Sequence, residues 1–146
     1  MKISDNGLDL IKRWEALRLE AYLPTPDDVW TIGYGHTLGV GQGLTCTPEQ
    51  AEAWLREDVS GAEHAINVEM DCPLEQQQYD ALVSFVFNIG ISAFNQSTLL
   101  VRVKEGNLDD VPKQMMRWKY QHGKIVQGLI NRRRAEVALW SNRSNT

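Results

Sequence analysis

Cysteine is scarce in this chain. The two, Cys46 and Cys72, form no CxxC or Cys/His cluster of metal-site spacing, and nothing requires them to pair. They are expected as free, partly buried thiols. Long apolar runs are missing too: no stretch approaches the roughly 18 consecutive apolar residues of a membrane span. The first residues, Met1-Lys2-Ile3-Ser4-Asp5-Asn6-Gly7, show no apolar h-region and no small-residue cleavage site, so neither an export signal nor stable membrane association is expected. Basic charge is also in deficit. Fifteen Lys and Arg stand against nineteen Asp and Glu, a formal −4, where a dedicated nucleic-acid binder is more often basic overall. There is no internal repeat and no low-complexity segment.

What is present fits one globular domain. At 146 residues roughly 68–70% of the unfolded surface can be buried, so a core closes without a metal or disulfide staple. Hydrophobic residues at 42% and charged ones at 23% are ordinary values for a globular protein, and five Trp supply large rigid surfaces. The net charge conceals a split. Residues 1–101 carry five basic and fifteen acidic side chains, and residues 102–146 carry ten basic and four acidic ones. Such polarity orients a protein near a charged polymer, or reflects only a solvated basic helix surface.

The periodicities divide the chain. Leu8, Ile11 and Trp14 or Glu15 sit at helical spacing, with Asp5 or Ser4 able to cap. Phasing then breaks: Tyr22-Leu23 and the aromatic, β-branched run 29–34 flank Pro24-Thr25-Pro26-Asp27-Asp28, which predicts a hairpin with a rigid tip. Glycines at 33, 35, 39, 41 and 43 imply a chain that bends sharply or lies close to something, with a third short strand near 42–46. Thr47-Pro48-Glu49-Gln50 reads as a cap, a first-turn proline and a capping-box Gln, opening a long helix toward Val68 that could loosen at Ser60-Gly61. Pro73 is expected to open a central core helix through Leu74, Tyr79, Leu82, Val83, Val86 and Phe87, ended by Asn88-Ile89-Gly90. Further helices are expected from a Ser97 cap to Gly106, over 111–118 and over 129–140, with Trp118 and Trp140 in the helical core and a frayed tail over 141–146.

Glu15 closes the first amphipathic segment beside Trp14 and Leu17. An acid near large apolar groups at a lobe boundary can have its pKa raised by desolvation, as a general acid at neutral pH requires, although Arg18 could offset the shift. His36 reads as a structural histidine pinning a strand end, with Asp71 as an acidic partner to check.

Glu15-Ala16-Leu17-Arg18-Leu19-Glu20-Ala21-Tyr22 followed by Trp30-Thr31-Ile32-Gly33-Tyr34-Gly35-His36-Thr37 resembles the signature of the phage-type lysozymes, glycoside hydrolase family 24. The resemblance continues through Thr47-Pro48-Glu49-Gln50-Ala51, through Tyr79-Asp80-Ala81-Leu82 with Phe87-Asn88-Ile89-Gly90, and through Gly123, Gly128-Leu129 and Arg132-Arg133 to Glu136. It implies a mainly helical α+β fold: a small β-containing lobe at about 18–47, a connecting helix at about 48–68, and a helical lobe of about 1–17 plus 69–146. It also implies hydrolysis of the β-1,4 bond between N-acetylmuramic acid and N-acetylglucosamine, with Glu15 as the acid and Thr31 placing the water. Thr37, Phe87 and Ser97 match sugar-contacting positions, with Phe87 equally readable as a plain core aromatic, and residues 90–97 would form the opposing lip of a cleft.

The second catalytic group departs from that pattern. The family has an Asp nine residues after the Glu and six before the Thr, but one extra residue separates Glu15 from Thr31, and the two counts land on Pro24 and Thr25. Asp28, adjoining the second strand, or Asp27, nearer the tip, could swing into place; both could equally be turn-capping residues. By the same resemblance no cofactor is needed, bacterial peptidoglycan is the partner, and the chain is a monomer. It would wait in the host cytoplasm for a separate holin-type pore protein. The alternatives are a non-catalytic peptidoglycan-binding module of this fold and a nucleic-acid binder using Arg132-Arg133-Arg134. The second is weak, because adjacent arginines on a helix diverge and the acidic segment repels phosphates.

Overall fold

The computed structural model describes residues 1–142, and within them the fold is mainly helical with a small antiparallel hairpin. Two compact units are present, Ile11–Gly61 and the remainder, Met1–Leu10 with the chain from Ala62 onward. Their boundaries fall inside α1 (Asp5–Glu15) and α2 (Pro48–Asn67), so each of these helices contributes residues to both units.

In the 11–61 unit, β1 (Arg18–Tyr22) pairs antiparallel with β2 (Thr31–Gly33) across an irregular register, Arg18 opposite Gly33 and Tyr22 opposite Thr31. The ordered second strand is shorter than the run 29–34 suggests. The expected third strand is reduced to one bridge, Glu20 with Thr45, flanked by Ala21 N–H to Leu44 O and Cys46 N–H to Leu19 O at 2.9 Å each. Immediately beyond it, the Thr47 hydroxyl accepts from Gln50 N–H (3.1 Å) and the Gln50 side chain accepts from Thr47 N–H (2.9 Å), a complete capping box with Pro48 at the first helical position. α2 then runs unbroken past Ser60-Gly61, burying Ala51, Leu55, Val59 and Ala62 along one face.

The other unit is built around α3 (Gln76–Ile89), with its residues from Tyr79 to Val86 all buried. Its cap is Glu75, paired with Gln78, rather than Pro73; the proline lies three residues outside the helix. Ser4, not Asp5, caps α1. Its hydroxyl accepts from Gly7 N–H (3.4 Å) and itself donates to Asp80, a carboxylate only 2% exposed that also receives Ser4 N–H (2.9 Å) and Gln76 Nε2 (2.8 Å). The Tyr79 hydroxyl, its pKa pushed up to about 12 chiefly by burial, donates to Met1 O at 3.0 Å.

α4 (Ile91–Asn95), α5 (Thr98–Lys104), α6 (Val111–Met116) and α7 (Gln127–Ser141) complete the α-helices among the described residues, with a short 3-10 helix, Leu108–Asp110, leading into α6. Ser97 caps α5 as expected, its oxygen accepting from Leu100 N–H at 3.1 Å. α4 occupies most of a segment read from sequence only as a cleft lip. A second hairpin, β3 (Tyr120–Gln121) with β4 (Lys124–Ile125), was also not anticipated; its two loop residues, His122 and Gly123, both have positive φ (51° and 77°), as a type I′ turn needs. Of the tail expected to fray, Ser141 closes α7, and residues 143–146 lie outside the described residues.

Arg132 and Arg133 contradict the reading of Arg132-Arg133-Arg134 as a nucleic-acid track and are exceptions to a solvated basic surface, whereas Lys104, Lys113, Arg117, Lys124 and Arg134 are exposed. Arg132 and Arg133 are 5% and 0% exposed and turn inward onto α3. Glu136, also 0% exposed, accepts from Ser84 Oγ (2.6 Å) and Arg132 Nε (3.3 Å). Arg133 Nε lies 2.8 Å from the other Glu136 oxygen, close enough for an ion pair but not aligned as a hydrogen bond. Arg133 also donates to Asn88 Oδ1 at 2.5 Å and covers the Phe85 ring at 5.0 Å. Burial lowers the Arg133 pKa and raises that of Glu136, and in each case the partner's charge works against the shift.

Gly7 tests the packing of α1 on α3. A methyl there would come within 2.5 Å of Ile3 Cγ1 and 2.8 Å of Asp80 Cβ and Cγ. Inside an exposed helix, Gly to Ala gains about 1 kcal/mol. Gly7→Ala is expected to reverse that sign and lose about 1–3 kcal/mol by overpacking. Thermal unfolding followed by circular dichroism measures it, and an unchanged or higher melting temperature would show that Ile3 and Asp80 yield freely.

Candidate active site

Glu15 is the last residue of α1. The helix stops because Ala16 takes a left-handed backbone (φ 48°) while its N–H still donates to Lys12 O at 3.2 Å. That conformation costs a non-glycine residue roughly 1 kcal/mol or more, and such strain is often found at functional sites. Lys12, one turn earlier, is bonded to Glu52 of α2 at 2.5 Å and holds that carboxyl below its usual pKa.

Directly after β2 the chain makes a tight turn. Ile32 N–H donates to His36 O (2.9 Å) and His36 N–H to Ile32 O (2.8 Å), with Gly33, Tyr34 and Gly35 between them. A Cβ built at Gly33 would meet Ala51 of α2 at 3.2 Å, and one at Gly35 would meet Glu15 Oε2 at 3.1 Å. The Glu15 carboxyl therefore rests against the backbone of this turn.

His36 is buried, stacks on Trp54 (ring centroids 4.7 Å apart, planes 7° from parallel) and places Nδ1 2.8 Å from Asp58 Oδ2. Its partner is thus Asp58, not Asp71, which lies beyond α2 in the other unit. A helical wheel could have found it: Ala51, Trp54 and Asp58 are spaced i, i+3, i+7 on the face of α2 that meets the turn.

The Thr31 side chain is 6% exposed, and its hydroxyl donates to Val29 O at 3.0 Å, which leaves its lone pairs as acceptors. Pro26 and Asp27 occupy the centre of a turn closed by Asp28 N–H to Thr25 O at 3.0 Å. Asp28 is exposed, with one carboxylate oxygen accepting Val29 N–H at 2.9 Å; Asp27 is exposed at the tip and Thr37 beyond the β2 turn. Arg18, read as a possible charge partner for Glu15, stacks its guanidinium on Tyr22 at 4.2 Å.

Glu15, Asp28, Thr31 and Thr37 thus share one unit, while Phe87 and Ser97 belong to the other. Phe87 is half-buried on α3. Ser97 is buried at the edge of a cavity of about 390 Å³ whose walls include Gln114, Arg117, Trp118 and Tyr120. Its hydroxyl proton goes to Phe94 O (2.7 Å). Trp118 is not wholly a core residue: it packs edge-on against Phe85 at 6.0 Å and also faces this cavity, whereas Trp140 is buried. Cys46 and Cys72 are free thiols. Among the described residues no group of three or more His, Cys, Asp or Glu could hold a metal ion, and no helix is long and apolar enough to cross a membrane.

The phage lysozyme family profile matches residues 12–136, which include Glu15, the β2 turn and the buried arginine cluster. The chain belongs to the phage lysozyme family. It is 46% identical to the endolysin of Acyrthosiphon pisum secondary endosymbiont phage 1, over 97% of this lysozyme and 99% of that protein. Among solved structures it matches the muramidase domain of SpmX from Asticcacaulis excentricus (TM-score 0.90, 43% identity, 97% and 99% of the two chains). It also matches a variant of P22 lysozyme (TM-score 0.87, 38% identity, again 97% and 99%).

The His36 contact makes a stability prediction for this lysozyme. Asp58→Ala removes the acceptor from a buried ring nitrogen, which is expected to cost about 1–3 kcal/mol. Denaturant unfolding reads the loss, and a midpoint unchanged from the parent would show that His36 finds another partner.

Proposed function

We propose that Glu15 is the general acid with which this lysozyme cleaves the β-1,4 bond between N-acetylmuramic acid and N-acetylglucosamine in bacterial peptidoglycan. The observation that carries the reading is the placement of the Glu15 carboxyl against the turn that follows Thr31. In this reading Glu15 protonates the glycosidic oxygen as the C1–O bond breaks. A water donates a hydrogen bond to Thr31 Oγ1, whose own proton is held by Val29 O, and so turns a lone pair toward C1. The water's proton passes to a carboxylate, for which Asp28 is the candidate because its backbone is held by the turn and adjoins the strand leading to Thr31. Inverting hydrolysis needs about 6.5–9.5 Å between the acid and the base to admit that water.

Thr37, Phe87 and Ser97 are proposed sugar contacts. For Ser97 the remaining role is acceptor, since its proton is committed to Phe94 O. No cofactor enters the scheme. The endolysin relatives support action on the cell wall; storage of a monomer in the host cytoplasm until a holin-type pore protein opens the membrane is part of the same proposal. The alternative, a glycan-binding module without turnover, is disfavoured by relatives that are lysozymes and endolysins.

Glu15→Gln is expected to leave folding and wall binding intact and to lower turnover about 10²–10⁴-fold, since the amide cannot supply the proton. Loss of turbidity of purified bacterial walls measures it; activity within about threefold of the parent would reject Glu15 as the acid. Asp28→Asn is expected to lower kcat about tenfold or more with little change in melting temperature, and Asp27→Asn to do much less. If Asp28 instead only braces the turn, its loss costs about 0.5–2 kcal/mol of stability and spares kcat.

A further inference from the structure

We propose that Gly35 is a positioning residue for the acid, its missing side chain and left-handed backbone setting where the Glu15 carboxyl rests. The inference depends on the reading of Glu15 as the general acid. The turn carrying Gly35 has little freedom to retreat. Its ends are tied by the paired Ile32–His36 backbone bonds, Gly33 is seated on Ala51, and His36 is fixed by its stack on Trp54 and its bond to Asp58. Glu15 for its part leaves a helix that ends at once, in the left-handed Ala16.

Within that frame, a Cβ at position 35 would lie 3.1 Å from Glu15 Oε2 and 3.8 Å from its Cδ, so the carboxyl has to move aside. Displacing a reacting group by about 1 Å can cost ~10²-fold in rate, and a shift of a few tenths of an ångström a sizeable part of that. Two separate features thus ask for glycine here: the space taken by the acid, and a φ of +86° that side-chain-bearing residues adopt at a cost. Gly43 separates them. It has the same φ of +86°, and a Cβ built there meets nothing within 4 Å.

The test compares Gly35→Ala, Gly35→Asn and Gly43→Ala with the parent in kcat and KM on a soluble peptidoglycan oligomer, with folding checked by circular dichroism. Asn tolerates the left-handed region better than Ala, so Gly35→Asn carries the added Cβ with less backbone strain. Expected are a kcat about tenfold or more lower in both Gly35 variants with KM within about twofold, and Gly43→Ala within about twofold of the parent. In a Glu15→Asp background, where the shorter acid withdraws from Gly35, adding Gly35→Ala is expected to cost less than about threefold further. The proposal is overturned if either folded Gly35 variant keeps kcat within about threefold, or if Gly43→Ala loses as much as Gly35→Ala. It is overturned too if neither Gly35 variant folds, since Gly35 would then serve the fold rather than the acid. Glu15→Gln run alongside distinguishes the two readings. If it retains turnover, the acid assignment fails and this inference with it; if it is inactive while Gly35→Ala turns over normally, this inference fails alone.

Discussion

Two guanidinium groups and one carboxylate share the dry space between α3 and α7, and the larger unit depends on their being complete. Of the four buried side chains on α7, three are charged: Arg132, Arg133 and Glu136, with Trp140 the fourth. The helix is therefore docked less by an apolar stripe than by a set of charges. Each of those charges would be costly to bury alone, and removing one member of such a set leaves the others uncompensated. Ser84 and Asn88, one turn apart on α3, supply the polar groups that make burial tolerable, and Phe85 between them receives the flat face of Arg133. A cluster of this kind tolerates one alignment of the two helices, because sliding α7 by a residue would separate every pair at once.

The smaller unit solves a different problem with one face of α2. Ala51 accepts the close approach of Gly33, Trp54 supplies the plane on which His36 lies, and Asp58 takes the ring nitrogen. Three consecutive contacts along a helix thus immobilise a turn of five residues. A turn with glycines at its second and fourth positions would otherwise be among the more mobile parts of the chain, and it is the element against which Glu15 lies.

Much of this was legible in the residue order. The capping box at Thr47, the Ser97 cap, the core helix ending at Gly90 and the hairpin around residues 24–28 each rest on a local signal with one physical meaning, and each is present. Where the reading went astray, the deciding contact was distant in sequence or the local signal weak. Asp71 and Asp58 are equally plausible acids until α2 is wound and shows which one faces His36. Arg134 is exposed as its type suggests, but Arg132 and Arg133 read as surface only because charge is normally solvated, and the presence of Ser84, Asn88 and Glu136 around them says otherwise. The hairpin at 120–125 has strands of two residues, too short for an alternating pattern to register. Glu15 stood out through its neighbours rather than its own type, since an isolated glutamate carries no signature.

The route from sheet to helix in the smaller unit has no spare length. Thr45 is bridged to Glu20, Cys46 bonds to Leu19, Thr47 caps, Pro48 begins α2, and three residues later Ala51 is already against Gly33. One residue added or removed there would rotate α2 by about 100° and carry Trp54 and Asp58 out of phase with His36. The loop over 23–30 has the opposite character. It is mostly exposed, is braced by its own short turn and at its end by the Thr31 hydroxyl on Val29 O, and can change length while both ends of the strand pair stay in place. A change of length in this stretch would therefore alter the spacing between Glu15 and Thr31 without turning α2, whereas the same change at residues 45–48 would turn it.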